Sequence, residues 1–324
     1  MSQTLSEFDL IARFFDVQAL TGPANNPFVS LSIGDDCSLL NPVPHHQLAV
    51  SVDTLVSGVH FLKDAPPEKL AWRALAVSIS DLAAMGATPR AFTLALTLPQ
   101  ADAEWLKAFA HGLAMAAKHY GIALVGGDTT RGPLAMSLQV IGDTPVGQAL
   151  RRDGAQEGDE VYVSGVLGAA NLALDYLTKD HSSEHVAALL EAYYQPASCI
   201  ALGQALRGIA SAAIDISDGL LADIGHIAQR SGVQIELDSS AIPIHPAVTV
   251  LCDFPRALRA ACSGGDDYQL AFCVPQQNVA QLETLPFALT RIGSCRAGQG
   301  VTIDGQSLQQ TGYQHFEVNH DHTR

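Results

Sequence analysis

Several marks of familiar protein classes are missing from these 324 residues. Basic charge is scarce: 18 Lys and Arg stand against 33 Asp and Glu, a formal net charge of −15. Nucleic-acid backbones are held by clustered Lys and Arg, so that class of partner is excluded on charge. No C-x-x-C pair occurs among the six cysteines. Cys37, Cys199, Cys252, Cys262, Cys273 and Cys295 are scattered and read as reduced core thiols of a cytoplasmic protein. No apolar stretch reaches the roughly 18 residues of a membrane span; Asp81, Asp128 or glycines break the longest candidates. The N-terminal MSQTLSEFDLIARFF has acids in a short amphipathic pattern and no basic region before an apolar run, so no signal peptide is expected. The G-x-x-x-x-G-K-[ST] loop is absent, as are H-R-D and D-F-G, which removes P-loop and protein-kinase chemistry.

What is present is an ordinary globular composition, 48% apolar with 27 glycines, in a chain long enough for two domains. Helical spacing is expected over Ser6–Leu20, with Ser6 as N-cap, and short strands over Phe28–Ile33 and Cys37–Leu40. An apolar strand, Leu48–Val52, runs into Asp53. The clearest helix is Pro66–Gly86, opened by two prolines and stopped by glycine. A strand over Thr88–Leu98, a helix over Ala101–Tyr120, a buried strand over Ile122–Val125 ending at Gly126-Gly127-Asp128, and a strand over Leu134–Ile141 follow. Gly142–Gly158 is polar and lacks a hydrophobic period, so the domain boundary is placed there, giving domains of residues 1–148 and 149–324. Beyond it, strands at Glu160–Val163, Ala212–Ile216, Val233–Leu237 and Tyr268–Val274 alternate with helices, among them Leu220–Ser231. The expectation is two α/β (α+β) domains.

Carboxylates recur where these strands end: Asp35 and Asp36, Asp53, Asp128, and Asp215 with Asp218. Asp81 lies instead within a helix otherwise made of Ala76, Val77, Ile79, Leu82, Ala83 and Ala84. A bare carboxylate on an apolar helix face costs several kcal/mol, so it must be paired, protonated or bound to a metal. Singly, each acid also fits a structural role, as a turn residue, a cap or the partner of a nearby Ser or Arg. Together they repel one another unless cations fill the space between them. Hard oxygen ligands suit Mg²⁺ or Mn²⁺, and Mg²⁺ brings phosphates into its shell. VYVSGVLG at Val161–Gly168 is a strand, turn and helix start where backbone N–H groups can hold phosphate. Arg131, Arg151 and Arg152 in glycine-containing loops can clamp phosphate oxygens.

Taken in order, IGDDC, SVDTLVSGVHF, ALAVSISDLAAMGATP, GGDTTRGP, AIDISDGL and SGGDDYQL closely resemble the thiamine-monophosphate kinase family, in the superfamily that includes aminoimidazole ribonucleotide synthetase. The match runs from about Phe8 to Phe316. The resemblance implies ATP-dependent phosphorylation of thiamine monophosphate to thiamine diphosphate, with several Mg²⁺ ions in one cleft; the mechanism expected for it is direct in-line transfer of the γ-phosphoryl group. It also implies a homodimer whose N-terminal domains, which bind ATP and Mg²⁺, join their sheets into an intersubunit barrel, each followed by a C-terminal α/β domain. Carried onto this sequence, Asp36, Ser51, Val52 (through its carbonyl), Asp53, Asp81, Asp128, Asp215 and Asp218 fall on metal positions, with Asp53, Asp81, Asp128 and Asp218 central to catalysis. Gly127, Asp128, Arg152 and Ser217 fall on nucleotide positions; His60 and Asp266 fall on substrate positions, and Tyr313 is assigned to the C-terminal aromatic there.

The sequence departs from the family pattern in three places. Val52 stands where many relatives have Thr, Asp266 and Gln269 replace the Glu residues of GGEDYE, and the C-terminal aromatic has no secure counterpart beyond Tyr313. Two alternatives stay open at this level. One is another ATP-using member of the superfamily, in purine or selenophosphate synthesis; the latter needs a reactive Cys in a flexible N-terminus, and the first Cys here is Cys37. The other is a non-enzymatic Mg–nucleotide-binding protein, which would hold ATP without consuming it.

Overall fold

In the computed structural model, residues 7–23, 26–179 and 182–307 are described. They divide into two compact units: residues 1–151 with 194–210, and residues 152–193 with 211–324. Tyr194–Ala210 therefore packs with the first unit, although a boundary at 148/149 assigns it to the second. The reason is a close helix contact: a Cβ on Gly203 would lie 2.0 Å from the Ala83 carbonyl oxygen, so only glycine lets these segments touch.

Unit 1 begins with β1 (Val29–Leu31) and β2 (Leu39–Leu40), a small antiparallel pair. Its main sheet contains β3 (His46–Val56), β4 (Thr88–Leu98), β5 (Ala123–Arg131) and β6 (Ala135–Pro145), in spatial order β3-β6-β4-β5. Only β4 and β5 run parallel, joined through the helix Ala103–Tyr120. That helix is capped by Asp102, which accepts from the N–H groups of Glu104 (3.0 Å) and Trp105 (3.2 Å), and it ends at left-handed Gly121. It packs beside the helix Pro67–Ala84. The core between helices and sheet is built from Leu70, Leu75, Ile79, Phe92, Leu106, Phe109 and Leu138, all essentially inaccessible.

The expected single helix over Ser6–Leu20 is broken into Glu7–Leu10, a π-turn at Ile11–Phe15 and Gln18–Thr21. Phe14 and Phe15 are adjacent and both buried, and the wider π-turn accommodates that arrangement better than a regular 3.6-residue repeat.

Unit 2 adds β7 (Glu160–Ser164), β8 (Ala212–Asp215), β9 (Gln234–Leu237), β10 (Leu270–Val274), β11 (Leu289–Arg296), β12 (Gly300–Ile303) and β13 (Gln306–Ser307). They form one seven-stranded sheet in the order β13-β12-β9-β11-β7-β10-β8. Val161, Val163, Ile214, Ile235, Ala271 and Ile292 of this sheet share a core with Leu220, Ile224 and Ile227 of the helix Leu220–Ser231. The helix expected over Leu220–Ser231 and the strand expected over Thr88–Leu98 are found with those bounds. All six cysteines are free; Cys37 is exposed and Cys252 half-buried, so only the other four are core thiols. Among the described residues no helix is long and apolar enough to cross a membrane.

Candidate active site

Two of the acids expected at strand exits sit inside strands instead. β3 runs from His46 to Val56, so Asp53 lies within it, and β5 continues through Gly126-Gly127-Asp128 to Arg131. Strand ends depend on neighbouring strands, and β6 pairs with β3 along its whole length from His46 to Val56. Along β3 the side chains alternate: Val50, Val52 and Thr54 are exposed, while Ser51, Asp53 and Leu55 point to the less exposed face.

That face meets the helix Pro67–Ala84, and there an acid pair forms. The Ser51 hydroxyl donates to Asp81 Oδ2. Asp53 lies within hydrogen-bonding reach of Ser78 and close enough to Asp81 to feel its charge. Burial, first, and the Asp81 charge, second, push the Asp53 carboxyl up to about 6, with Ser78 offsetting part of the rise. Its Oδ2 is buried and has no hydrogen-bond partner. A desolvated carboxylate oxygen left unpaired beside a second carboxylate is a poor arrangement for the protein alone, and adding a hard cation turns both defects into ligands.

A second group gathers around β5. Asp35, Asp36, Gly127 and Asp128 line one cavity of about 480 Å³, whose apolar wall comes from Ile11, Phe15, Leu94 and Leu124. Asp36 and Asp128 are exposed. Gly127 is required by packing, since a Cβ there would lie 1.9 Å from the Leu94 carbonyl oxygen. The register across the sheet runs Asp53–Leu138–Leu94–Gly127. Asp53 is thus on one edge of the sheet and Asp128 next to the other edge's Gly127, three strand spacings or roughly 14 Å apart along the sheet. One copy of unit 1 does not bring these two acids onto the same ion.

In unit 2, Asp215 ends β8 and is buried, while Ser217 and Asp218 follow in the turn before the helix Leu220–Ser231. Asp223, in that helix's first turn, was not singled out by the sequence. Its Oδ2 accepts from the N–H groups of Ser217 (2.9 Å), Asp218 (3.0 Å) and Gly219 (3.1 Å). Burial and then the charges of Asp215 and Asp218 push its carboxyl up to about 7, with the backbone donors pulling the other way. The helix N-terminal signal that could have found it is an Asp four positions inside a helix with a glycine N-cap and no side-chain cap.

The Ser/Gly turn after β7 is not open to phosphate at Gly168. The N–H of Gly168 donates to both carboxyl oxygens of Asp267 at 2.9 Å. Asp267 is pushed up to about 8, chiefly by burial. Its neighbours Asp266 and Tyr268 have positive φ, 64° and 49°, and the Tyr268 hydroxyl donates to Asp266 at 3.1 Å. Gln269, where the family pattern has Glu, accepts from the Ser164 hydroxyl at 2.6 Å. In unit 1, His60 Nδ1 accepts from the Val56 N–H at 3.0 Å, which puts the proton of the neutral ring on Nε2. Arg152 is exposed, and Arg131 closes β5 rather than lying in a loop. Tyr313 lies outside the described residues. Among the described residues, no three His, Cys, Asp or Glu side chains converge as a complete metal-ligand set.

Residues 34–144 match the AIR synthase related protein N-terminal domain, and residues 156–305 match the C-terminal domain of the same proteins. Two mixed α/β domains carrying acidic edge strands and an acidic turn thus define an AIR synthase related protein. The thiamine-monophosphate kinase of Salmonella typhimurium is 46% identical over 322 residues, spanning 96% of this chain and 98% of that protein. A crystal structure of thiamine-monophosphate kinase from Stenotrophomonas maltophilia K279a superimposes with a TM-score of 0.86 at 44% identity, covering 94% of this chain and 98% of that one. AaThiL complexed with AMPPCP and TMP gives 0.79 at 33% identity, covering 88% and 92%. Within the AIR synthase related proteins, the chain belongs to the thiamine-monophosphate kinase family, whose members are kinases.

Proposed function

We propose that this enzyme transfers the γ-phosphoryl group of ATP directly, in line, to the phosphate of thiamine monophosphate, giving thiamine diphosphate. The observation that carries the reading is the unpartnered, buried Asp53 Oδ2 beside Asp81, a pair of hard oxygens arranged for a cation rather than for each other. The AaThiL complex with AMPPCP and TMP, an ATP analogue and the phosphorylated acceptor, supports both substrates.

In this reading Asp53, Asp81, Ser51 and the Val52 carbonyl hold Mg²⁺ on the β3 side, Asp36 and Asp128 hold it at the β5 cavity, and Asp215 and Asp218 hold it in unit 2. Mg²⁺ held there would supply charge neutralisation for two mutually repelling phosphates. Gly127 lets the backbone of β5 approach the nucleotide closely, and Arg152 and Ser217 bind its phosphates. His60 presents Nε2–H to the acceptor, while Asp266 contacts its thiamine portion. The acceptor phosphate needs no strong general base, since its second pKa is about 6. Positioning and charge neutralisation then carry the rate.

The same reading extends to a homodimer. β3 and β5 are both unpaired edges of their sheet. On the eleven-residue edge strand β3, Leu48, Val50 and Val52 are 49%, 57% and 60% exposed, an apolar stripe that natural proteins cover. Closing two such sheets into a barrel, β3 of one copy against β5 of the other, buries that edge and brings Asp53 of one copy toward Asp128 of its partner.

The deciding experiment is steady-state ADP release with thiamine monophosphate, run beside thiamine and a purine-pathway acceptor. Turnover confined to thiamine monophosphate is expected, and ATP binding without ADP release overturns the reading.

A further inference from the structure

Asp223 has no place among the metal, nucleotide or substrate residues, yet its carboxylate is heavily engaged with the unit 2 turn. It is 3% exposed, and one of its oxygens collects three consecutive backbone donors, those of Ser217, Asp218 and Gly219. Three N–H groups converging on a single point leave that turn essentially one backbone conformation. Gly219 offers the following helix no side-chain cap, so the restraint comes from inside the helix and reaches backwards. The turn is in turn a template for the next loop. The Ser217 carbonyl accepts from the Asp266 N–H and the Ile216 carbonyl from the Tyr268 N–H, both at 2.8 Å.

We propose that Asp223 is the positioning residue of this site: by gathering the amides of residues 217–219 it sets Ser217 and Asp218 toward Mg²⁺–nucleotide and, through Ser217, sets Asp266. The proposal rests on the functional reading given above for Ser217, Asp218 and Asp266. Residues that orient metal ligands without touching the metal are worth about 10- to 100-fold in metal affinity. What the turn requires of residue 223 is an acceptor oxygen at the right reach, not a charge.

The test compares Asp223→Ala with Asp223→Asn, whose amide oxygen can accept the same three bonds. Asp223→Glu overshoots the turn by one methylene and is the second perturbation should the alanine variant not fold. Hydrogen exchange on metal-free protein reads the peptide spanning 214–224 directly. Protection there is expected to fall in Asp223→Ala and Asp223→Glu and to survive in Asp223→Asn. In turnover assays, the Mg²⁺ concentration for half-maximal rate is expected to rise about tenfold or more in the first two, with kcat at saturating Mg²⁺ recovering, and to stay near wild type in Asp223→Asn. A merely structural role would lower the active fraction and leave half-saturation in place, which overturns the proposal. Unchanged amide protection, or an asparagine variant as impaired as alanine, overturns it as well. Asp218→Asn measured alongside separates the two levels. If it raises half-saturation and Asp223→Ala does not, the positioning role fails and the functional reading stands. If neither variant moves it, the metal role of the turn fails and the proposal with it.

Discussion

Replacing Asp53 by Asn should make the metal-free protein more stable while abolishing its turnover. In the folded chain the Asp53 carboxyl titrates at about 6 instead of the ordinary 3.8, because burial and Asp81 both oppose its ionisation. That gap converts to about 3 kcal/mol of differential stabilisation of the protonated form. The sign follows from proton counts. Between pH 3.8 and about 6 the folded state binds more protons at this site than the unfolded state, so stability falls as pH rises through that window. Above it the penalty is complete. Asparagine carries no such penalty, so the variant should match wild type near pH 4 and exceed it by up to about 3 kcal/mol at pH 8, measured by denaturant unfolding in EDTA. Mg²⁺ should reverse the order. At 1,000 times its dissociation constant, a ligand of the folded state alone adds about 4.1 kcal/mol, more than that deficit, and only wild type retains the full ligand set to gain it. A variant less stable than wild type at pH 8 in EDTA, or one stabilised by Mg²⁺ as much as wild type is, would refute the reasoning that this pair awaits a cation.

Four further outcomes follow from geometry and burial. Under the proposed pairing of β3 with the β5 of a second copy, Asp53→Asn and Asp128→Asn should each be inactive alone, yet co-expressed they should recover about a quarter of wild-type activity, since half of such dimers would be mixed and each mixed dimer would keep one of two shared sites intact; no recovery rules out sharing across the edges. Asp267→Ala strands the buried Gly168 N–H and should cost about 1–3 kcal/mol by thermal unfolding. Asp267→Asn keeps an acceptor and should be no less stable than wild type, with an advantage that grows as pH rises from 3.8 to about 8, where the folded carboxyl keeps a proton the unfolded one has lost, and levels off above that. Gly127→Ala should destabilise by about 2–4 kcal/mol, since its Cβ has no room beside the Leu94 carbonyl; a cost under 1 kcal/mol would mean that β4 and β5 separate easily.

Local pattern was a good guide where one element's own residues decide the outcome. Alternation and glycine or proline stops located Thr88–Leu98 and Leu220–Ser231 to the residue, and placed Pro67–Ala84 within two. It was a poor guide to strand ends. Nothing in SVDTLVSG says that β6 continues alongside to Val56, so Asp53 looked like an exit residue when it lies inside an edge strand. GGDTTRG looked like a turn for the same reason: Gly127 serves close approach to β4 rather than a chain reversal.

The sequence by itself determined which chemistry is available: a chain poor in cations, without a P-loop lysine, and with carboxylates in six ordered motifs that mark its family. Those are properties of residue type and spacing, which survive without coordinates. Only the tertiary structure decided which acids meet. Asp53 meets Asp81 because a strand face lies against a helix, and it is separated from Asp128 because two other strands run between their edges. Asp267 closes the Gly168 amide to phosphate through a contact that spans 99 residues, whereas Asp223 reaches back over three peptides of its own segment. Cross-strand neighbours and burial are set by the packing partners, and no single segment carries that information.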